Sequence, residues 1–328
     1  MKPLYERLKY RVPLKLKGFE TLYGSGESYS PESHEQPMLN DKTYQDNYEL
    51  FRDRILKNIG EKYLPVYRMA DGEFKFCLRN IGMRRNVFSC LSAFYKNSKV
   101  ILRTGRKYSR KIPRNTFERI KNIFDDNYFY VAHGETYTSV EQKSLIKRFV
   151  ENVKEISNEG LLAMHFIDWL EGDSYQNMIE PMCRWFDEND IVLTEKNYTS
   201  FYYVYAILTG PDRGLLFKNR NILIISSVDQ ERKQKIIKQL TKTEEANHVE
   251  FYDISPNKSM FDKINVEKIK GKPDLILVAA GVGSTNILSQ LKPLGTVCID
   301  VGIVIETLSN PSLKNSRLFL QHSSIHTK

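Results

Sequence analysis

Cysteine is scarce: Cys77, Cys90, Cys183 and Cys298 are the only four in 328 residues. They form no Cys-x-x-Cys pair and no metal-ligand spacing, which leaves free, buried thiols in a reducing compartment as the expectation. Long apolar runs are missing too. None approaches the ~20 residues that cross a bilayer. The opening stretch MKPLYERLKYRVPLKLKGFE alternates basic and apolar residues too quickly for a secretory signal, so a cytoplasmic setting is expected. No internal repeat is evident. Acidic residues are nearly absent from one region: from Lys75 to Lys121 there are fourteen Lys or Arg and one acid, Glu118. The whole chain carries +9, so the remainder is slightly acidic. A field this concentrated suits an anionic partner, whether a nucleotide diphosphate, an anionic membrane face or a nucleic acid. A solvated basic face with no partner is the alternative.

What is present is the composition of a globular protein: 41% hydrophobic, 27% charged, with 19 Tyr and 17 Phe. The length is enough for one large core or two modest ones without staples. Residues 1–44 read as a partly irregular extension containing the loop GSGESYSPESHEQP. Helical periodicity follows at 41–59, 174–188 and 197–208, and a capping-box pair, Thr138 and Glu141, opens a helix running to about 156. Short apolar runs at 64–69, 127–132 and 161–166 suit strands. The last third is the clearest. NILIISS, HVEFYDI, PDLILVAAG and GTVCIDVG alternate with helical patterns at 229–241, 259–270 and 284–292. Continuous apolar strands alternating with helices predict an α/β fold, doubly wound on a mostly parallel sheet, with a Rossmann-like C-terminal half. The expected catalytic domain spans 45–310, divided into 45–215 and 216–310, with 311–328 as a tail.

Ligands of open α/β sheets bind outside the carboxyl ends of the strands, so the strand ends are where chemistry is sought. Gly281-Val282-Gly283 followed by Ser284 suits a phosphate at a helix N-terminus, or simply a tight strand-to-helix turn. Asn286 stands where a full dinucleotide fingerprint has its third glycine. Asp300 ends another strand and could hold a ribose or sugar hydroxyl or a metal-bound water, or cap the next helix. Ser226, Ser227 and Asp229 carry the same ambiguity. His133 and Glu135 form an H-x-E pair, but the P-C-x-x-C partner of the zinc deaminases is missing, which excludes zinc. Asp168, Trp169 and Asp173 offer an acceptor-side base and a stacking platform, or a loop and a cap.

The segment VYRMADGEFKF places Arg68, Asp71, Gly72 and Glu73 where a strand meets a helix. If the extended conformation persists through Gly72, Asp71 and Glu73 point the same way and share one cation, Mn2+ or Mg2+. Arg68 would then pair with a diphosphate or hold Asp71. A plain Asp-Gly turn is the bland reading.

This segment resembles the Arg…Asp-Gly-Glu-aromatic signature of the GT-D-fold glycosyltransferases, a family first catalogued as a domain of unknown function. The stretches NRNILIISS and DLILVAAGVGSTNILSQLKPLGTVCIDVG resemble that family's closing block, with Ile303 where the pattern often has His. The resemblance spans roughly residues 45–310. It implies a UDP-linked nucleotide-sugar donor and a divalent metal at Asp71 and Glu73, with Arg68 and Gly72 shaping the turn. Glu135, Asp168 and Asp300 are the candidates for the base that activates the acceptor hydroxyl. Gly281, Gly283, Ser284 and Asp300 are the expected donor-side contacts. The acceptor would be a polysaccharide, glycolipid, lipid-linked glycan or glycoprotein, with 75–121 free to dock on an anionic membrane face. Two other readings compete. One is a methyltransferase that uses GVGST for S-adenosylmethionine and Asp253 for its ribose. The other is a basic nucleic-acid binder, which is not expected because no reader motif is present.

Overall fold

The computed structural model describes residues 2–17, 19–24, 27–29, 35–70, 72–74, 76–77, 129–132, 135–166, 176–309 and 319–322. Among the described residues the strands are β1 (Tyr10–Pro13), β2 (Phe19–Gly24), β3 (Glu27–Tyr29), β4 (Glu35–Met38), β5 (Leu64–Met69), β6 (Phe129–Ala132), β7 (Glu135–Thr138), β8 (Leu161–Met164), β9 (Tyr198–Ser200), β10 (Asn221–Ser226), β11 (His248–Asp253), β12 (Leu275–Ala279), β13 (Val297–Asp300) and β14 (Phe319–His322).

Seven of these strands build one sheet in the order β11-β10-β12-β13-β5-β8-β9, with every neighbouring pair parallel. Every residue of β5, β8 and β13 is buried. Successive strand residues face opposite ways, so burial without alternation means that both faces of the sheet are covered. The fold is therefore α/β with a Rossmann-like parallel sheet, as the apolar runs predict. β5 comes first in the sheet's chain order yet lies inside it, between β13 and β8, with Val66 opposite Ile299 and Arg68 opposite Ala163.

The helix Ser139–Glu159 crosses from the β6–β7 hairpin to β8 and packs on β5, on β8 and on the helix Ser284–Gln290. The predicted capping box is formed: Glu141 N–H donates to Thr138 Oγ1 at 3.2 Å, and Thr138 N–H donates to Glu141 Oε2 at 2.8 Å. Lys258 Nζ reaches the same carboxylate at 2.6 Å. Thr138→Ala removes the hydroxyl from the cap and should lower stability by ~1 kcal/mol, read from the urea midpoint at constant m-value.

Four expectations change. The helix expected over 197–208 begins at Phe201, because Tyr198–Ser200 form β9. The helix expected over 259–270 is two isolated 3-10 turns, Ser259–Phe261 and Val266–Lys268. The carbonyl of Asp262 is occupied by side chains: Asn286 Nδ2 donates to it at 2.9 Å and Gln290 Nε2 at 3.1 Å. Asn265 caps the second turn by accepting from Glu267 N–H. Asn286 thus stands at the third-glycine position because it ties this loop down.

The N-terminal extension is also less irregular than expected. Leu4, Leu8, Val12, Leu14 and Leu16 are buried in the common core. β1 pairs with β4, and Gln36 on β4 donates to the Tyr198 hydroxyl of β9 at 2.8 Å. Finally, residues assigned to a C-terminal tail form β14, which pairs with β2.

Candidate functional site

The sequence rule about strand ends leads to a cavity of about 270 Å³ lined from the carboxyl ends of β5, β8, β10, β12 and β13 and from the helix Phe201–Thr209 that follows β9. Its centre is Arg68, the penultimate residue of β5 and only 7% exposed. Several contacts fix the guanidinium. Nε donates to the backbone oxygen of Asp300 at 2.8 Å. Phe201 and Tyr205, one helical turn apart, present their rings 4.8 and 5.3 Å from the guanidinium carbon. Gly302, at φ +43°, lies so close that a Cβ there would fall 1.8 Å from Nη2. Nη1 is buried and has no hydrogen-bond partner. A buried cationic N–H group without a partner is rare and costly, and it is the strongest sign of a missing ligand here.

Two buried carboxyl groups share this space. The Asp300 carboxylate accepts three hydrogen bonds that tie β13 to the loop after it, to β5 and to the helix Ser284–Gln290. Oδ1 accepts from Ser284 Oγ at 3.0 Å and from Gly302 N–H at 3.1 Å, and Oδ2 accepts from Arg68 N–H at 3.3 Å. Burial raises its pKa, against the pull of the Arg68 guanidinium and the Ser284 hydroxyl. Glu73 follows β5 and is 6% exposed. Burial pushes its carboxyl up to about 8, the nearby Asp300 charge adds to the rise, and backbone donors and Arg68 oppose it.

The extended conformation expected through Gly72 does not occur. Residues 72–74 are helical, and Phe74 N–H donates to the carbonyl of Ala70 at 2.9 Å. Glu73 turns back to accept from Ala70 N–H at 3.0 Å, the reach of an N3 residue towards its own N-cap. Successive helical residues turn by about 100°, so the argument that positions 71 and 73 share one face by strand alternation falls. Asp71 itself lies outside the described residues. Among the described residues no three of His, Cys, Asp and Glu are grouped to hold a metal. With Asp300 engaged and Glu73 folded onto Ala70, the described donor set does not fit a cation held by protein groups alone.

The other predicted positions separate. Gly281, at φ +52°, lines the cavity. Gly283 does not line it: a Cβ there would fall 1.8 Å from Ser259 Oγ, so its smallness admits Ser259, whose hydroxyl donates to Ala280 O. Ser284 is buried behind Asp300. Gly72 is buried beside Glu73. Glu135 belongs to β7, with its side chain outside the described atoms, and His133, Asp168, Trp169, Asp173 and nearly all of 75–121 lie outside the described residues. Ser227 lines the cavity, whereas Asp229 caps the helix Gln230–Lys238 by accepting from Arg232 N–H. Asp253, the ribose ligand of the methyltransferase reading, is ion-paired with Lys233 and is not among the lining residues.

Sequence reading missed the aromatic wall and His165. His165 comes one residue after β8 and lines the cavity with Phe201, Tyr202 and Tyr205. The strand-end rule applied to LLAMH would have flagged it. Glu306, in the first turn of the helix Val304–Ser309, was missed as well.

The chain matches no family model and none of the curated proteins. Among solved structures it is similar to a selenomethionine-substituted structure of "domain of unknown function 1792 (DUF1792)". The identity is 14%, the alignment covers 83% of this chain and 87% of that chain, and the TM-score is 0.39, too loose to carry an argument about the site.

Proposed function

We propose that this protein is a glycosyltransferase that takes a nucleotide-sugar donor, UDP-linked in the first instance, and seats the donor's sugar and diphosphate in the cavity around Arg68. The observation that carries the reading is Nη1 of Arg68, buried without a partner while the rest of the guanidinium is engaged by Asp300, Phe201 and Tyr205. A fixed guanidinium in a site of low dielectric meets charge with little reorganisation. In glycosyl transfer that charge develops on the departing nucleoside diphosphate. Aromatic walls such as Phe201 and Tyr205 suit the C–H faces of a sugar, and Glu306 supplies an acceptor for its hydroxyls. The motif around Asp71 and Glu73 supports the same reading from the sequence.

We keep Mn2+ or Mg2+ in the proposal as an ion that Asp71 and diphosphate oxygens would hold, and that Glu73 would join only by losing its proton and leaving Ala70 N–H. Such an ion would neutralise charge on the leaving group. The acceptor is a glycan or lipid-linked precursor, and the basic stretch 75–121 would serve it at an anionic membrane face. Among the described residues no helix is long and apolar enough to cross a membrane.

The test is a thermal-shift screen of UDP-sugars with and without Mn2+, followed by donor hydrolysis. Ligand at 100 times its Kd should stabilise the chain by about 2.7 kcal/mol. Asp71→Asn should abolish the Mn2+-dependent part while leaving the apo melting temperature unchanged. Full activity in that variant removes the metal from the proposal. No stabilisation by any nucleotide removes the donor.

A further inference from the structure

Transfer to a hydroxyl needs a group to take its proton, and the candidates read from sequence do not supply one in the described cavity. Asp300 spends both oxygens on Ser284, Gly302 and Arg68. The Glu135 side chain and Asp168 lie outside what is described. Among the described residues the cavity holds one imidazole. His165 continues the β5–β8 pairing, its N–H donating to Met69 O at 3.0 Å, and its side chain is turned into the cavity at 5% exposure. Nε2 lies 3.0 Å from the hydroxyl of Tyr202, which lines the same cavity. The imidazole packs edge-on to Phe201, 5.2 Å between centroids. The same Phe201 ring carries the Arg68 guanidinium at 4.8 Å. The imidazole and the leaving-group cation thus flank one ring, within a sugar-diphosphate's length of each other.

We infer that His165, acting through the Tyr202 hydroxyl, is the base that deprotonates the acceptor. This rests on the glycosyltransferase reading. As the acceptor oxygen bonds to the anomeric carbon, its proton passes to the Tyr202 oxygen and the phenolic proton passes to Nε2 of neutral His165. The bond from the anomeric carbon to the diphosphate oxygen breaks, and its electron pair leaves with the diphosphate, opposite Arg68. The phenol is restored, the proton rests on the imidazole, and solvent removes it after product leaves. Such a single displacement inverts the anomeric centre. Among the described residues, the charged groups that share the cavity with His165 are Arg68 from β5, Glu73 from the turn after it, Asp300 from β13 and Glu306 from the following helix; Tyr202 and Tyr205 come from the helix after β9. A buried histidine satisfied by a tyrosine is also a common structural pairing, so the test separates the two roles.

The experiment uses the full chain, with whichever UDP-hexose the wild type hydrolyses fastest and water as acceptor. His165→Asn should lower kcat by about 10²–10⁴-fold, with the donor KM and the UDP-induced thermal shift kept within about 2-fold. Imidazole added to His165→Ala should restore part of kcat, which a packing role would not allow. The first sugar released should have the inverted anomeric configuration. Should the histidine variants not fold, Tyr202→Phe cuts the same relay and should show the same split between kcat and KM. Retained kcat in these variants, retention of configuration, or loss of UDP binding together with kcat overturns the inference while the glycosyltransferase reading stands. A wild-type chain that neither binds UDP nor hydrolyses any UDP-hexose overturns both.

Discussion

Arg68→Met should weaken UDP binding about 10- to 100-fold and lower kcat by roughly 10²–10³, so that binding and rate fall together. The affinity figure is the worth of a hydrogen bond to a charged group, about 1.5–3 kcal/mol. The rate figure is the cost of removing one preorganised donor from developing charge. Methionine fills similar space, but the Asp300 carbonyl loses its Nε donor and Phe201 loses its cation. A fall in melting temperature therefore accompanies the functional loss, and melting temperature alone decides nothing. Arg68→Lys separates the effects. It retains the charge and loses the planar fork that reaches Asp300 O and the ligand together, so it should recover part of the binding and little of the rate. Calorimetric titration of UDP into all three chains is the measurement. Equal affinity in wild type and Arg68→Met would mean that Nη1 faces no phosphate.

The second large effect is on stability. In the native chain Glu73 keeps its proton up to a pH of about 8, whereas the ordinary value is 4.5. Between those limits the native state binds more protons than the unfolded state, so stability falls as pH rises. The favourable contribution is complete below about pH 4.5 and is lost through pH 8. The slope from this one group reaches at most ~1.4 kcal/mol per pH unit. Glu73→Gln imitates the protonated form, with an amide oxygen still able to accept from Ala70 N–H. It should flatten the slope and leave the variant more stable than wild type at pH 8.5. Urea unfolding at pH 6 and 8.5, in chelator, gives the comparison. Parallel slopes in the two chains would place the buried proton elsewhere.

How far the sequence reveals this molecule depends on the range of the signal. NILIISS and DLILVAAG read as buried parallel strands because continuous apolar runs need both faces covered, and β10 and β12 bear this out. Thr138 and Glu141 are legible because a cap is chemistry within one turn. Arg68, Gly281 and Asp300 are found together in the cavity by the strand-end rule. The aromatic run FYYVY was not legible as a wall. All five residues are buried, and only the packing of neighbouring elements decides which of them face a cavity. The Asp-Gly-Glu turn misleads for the opposite reason. Ala70 offers no side-chain cap to announce a helix, yet Glu73 supplies the reciprocal half from position N3. Contacts across the chain have no local trace: the Arg68–Asp300 hydrogen bond joins residues 232 apart in sequence.

That separation bears on how the chain comes to be folded. A strand inside the sheet whose neighbour arrives more than two hundred residues later leaves the ribosome with one edge bare, and exposed edges of this apolar composition invite pairing with the wrong chain. Closing so long a loop before any contact rewards it makes the assembly of β5 on β13 a slow event. Until β13 docks, Arg68 has no carbonyl to anchor it. Nascent chains of this protein are therefore expected to be most prone to mispairing until β13 has left the ribosome.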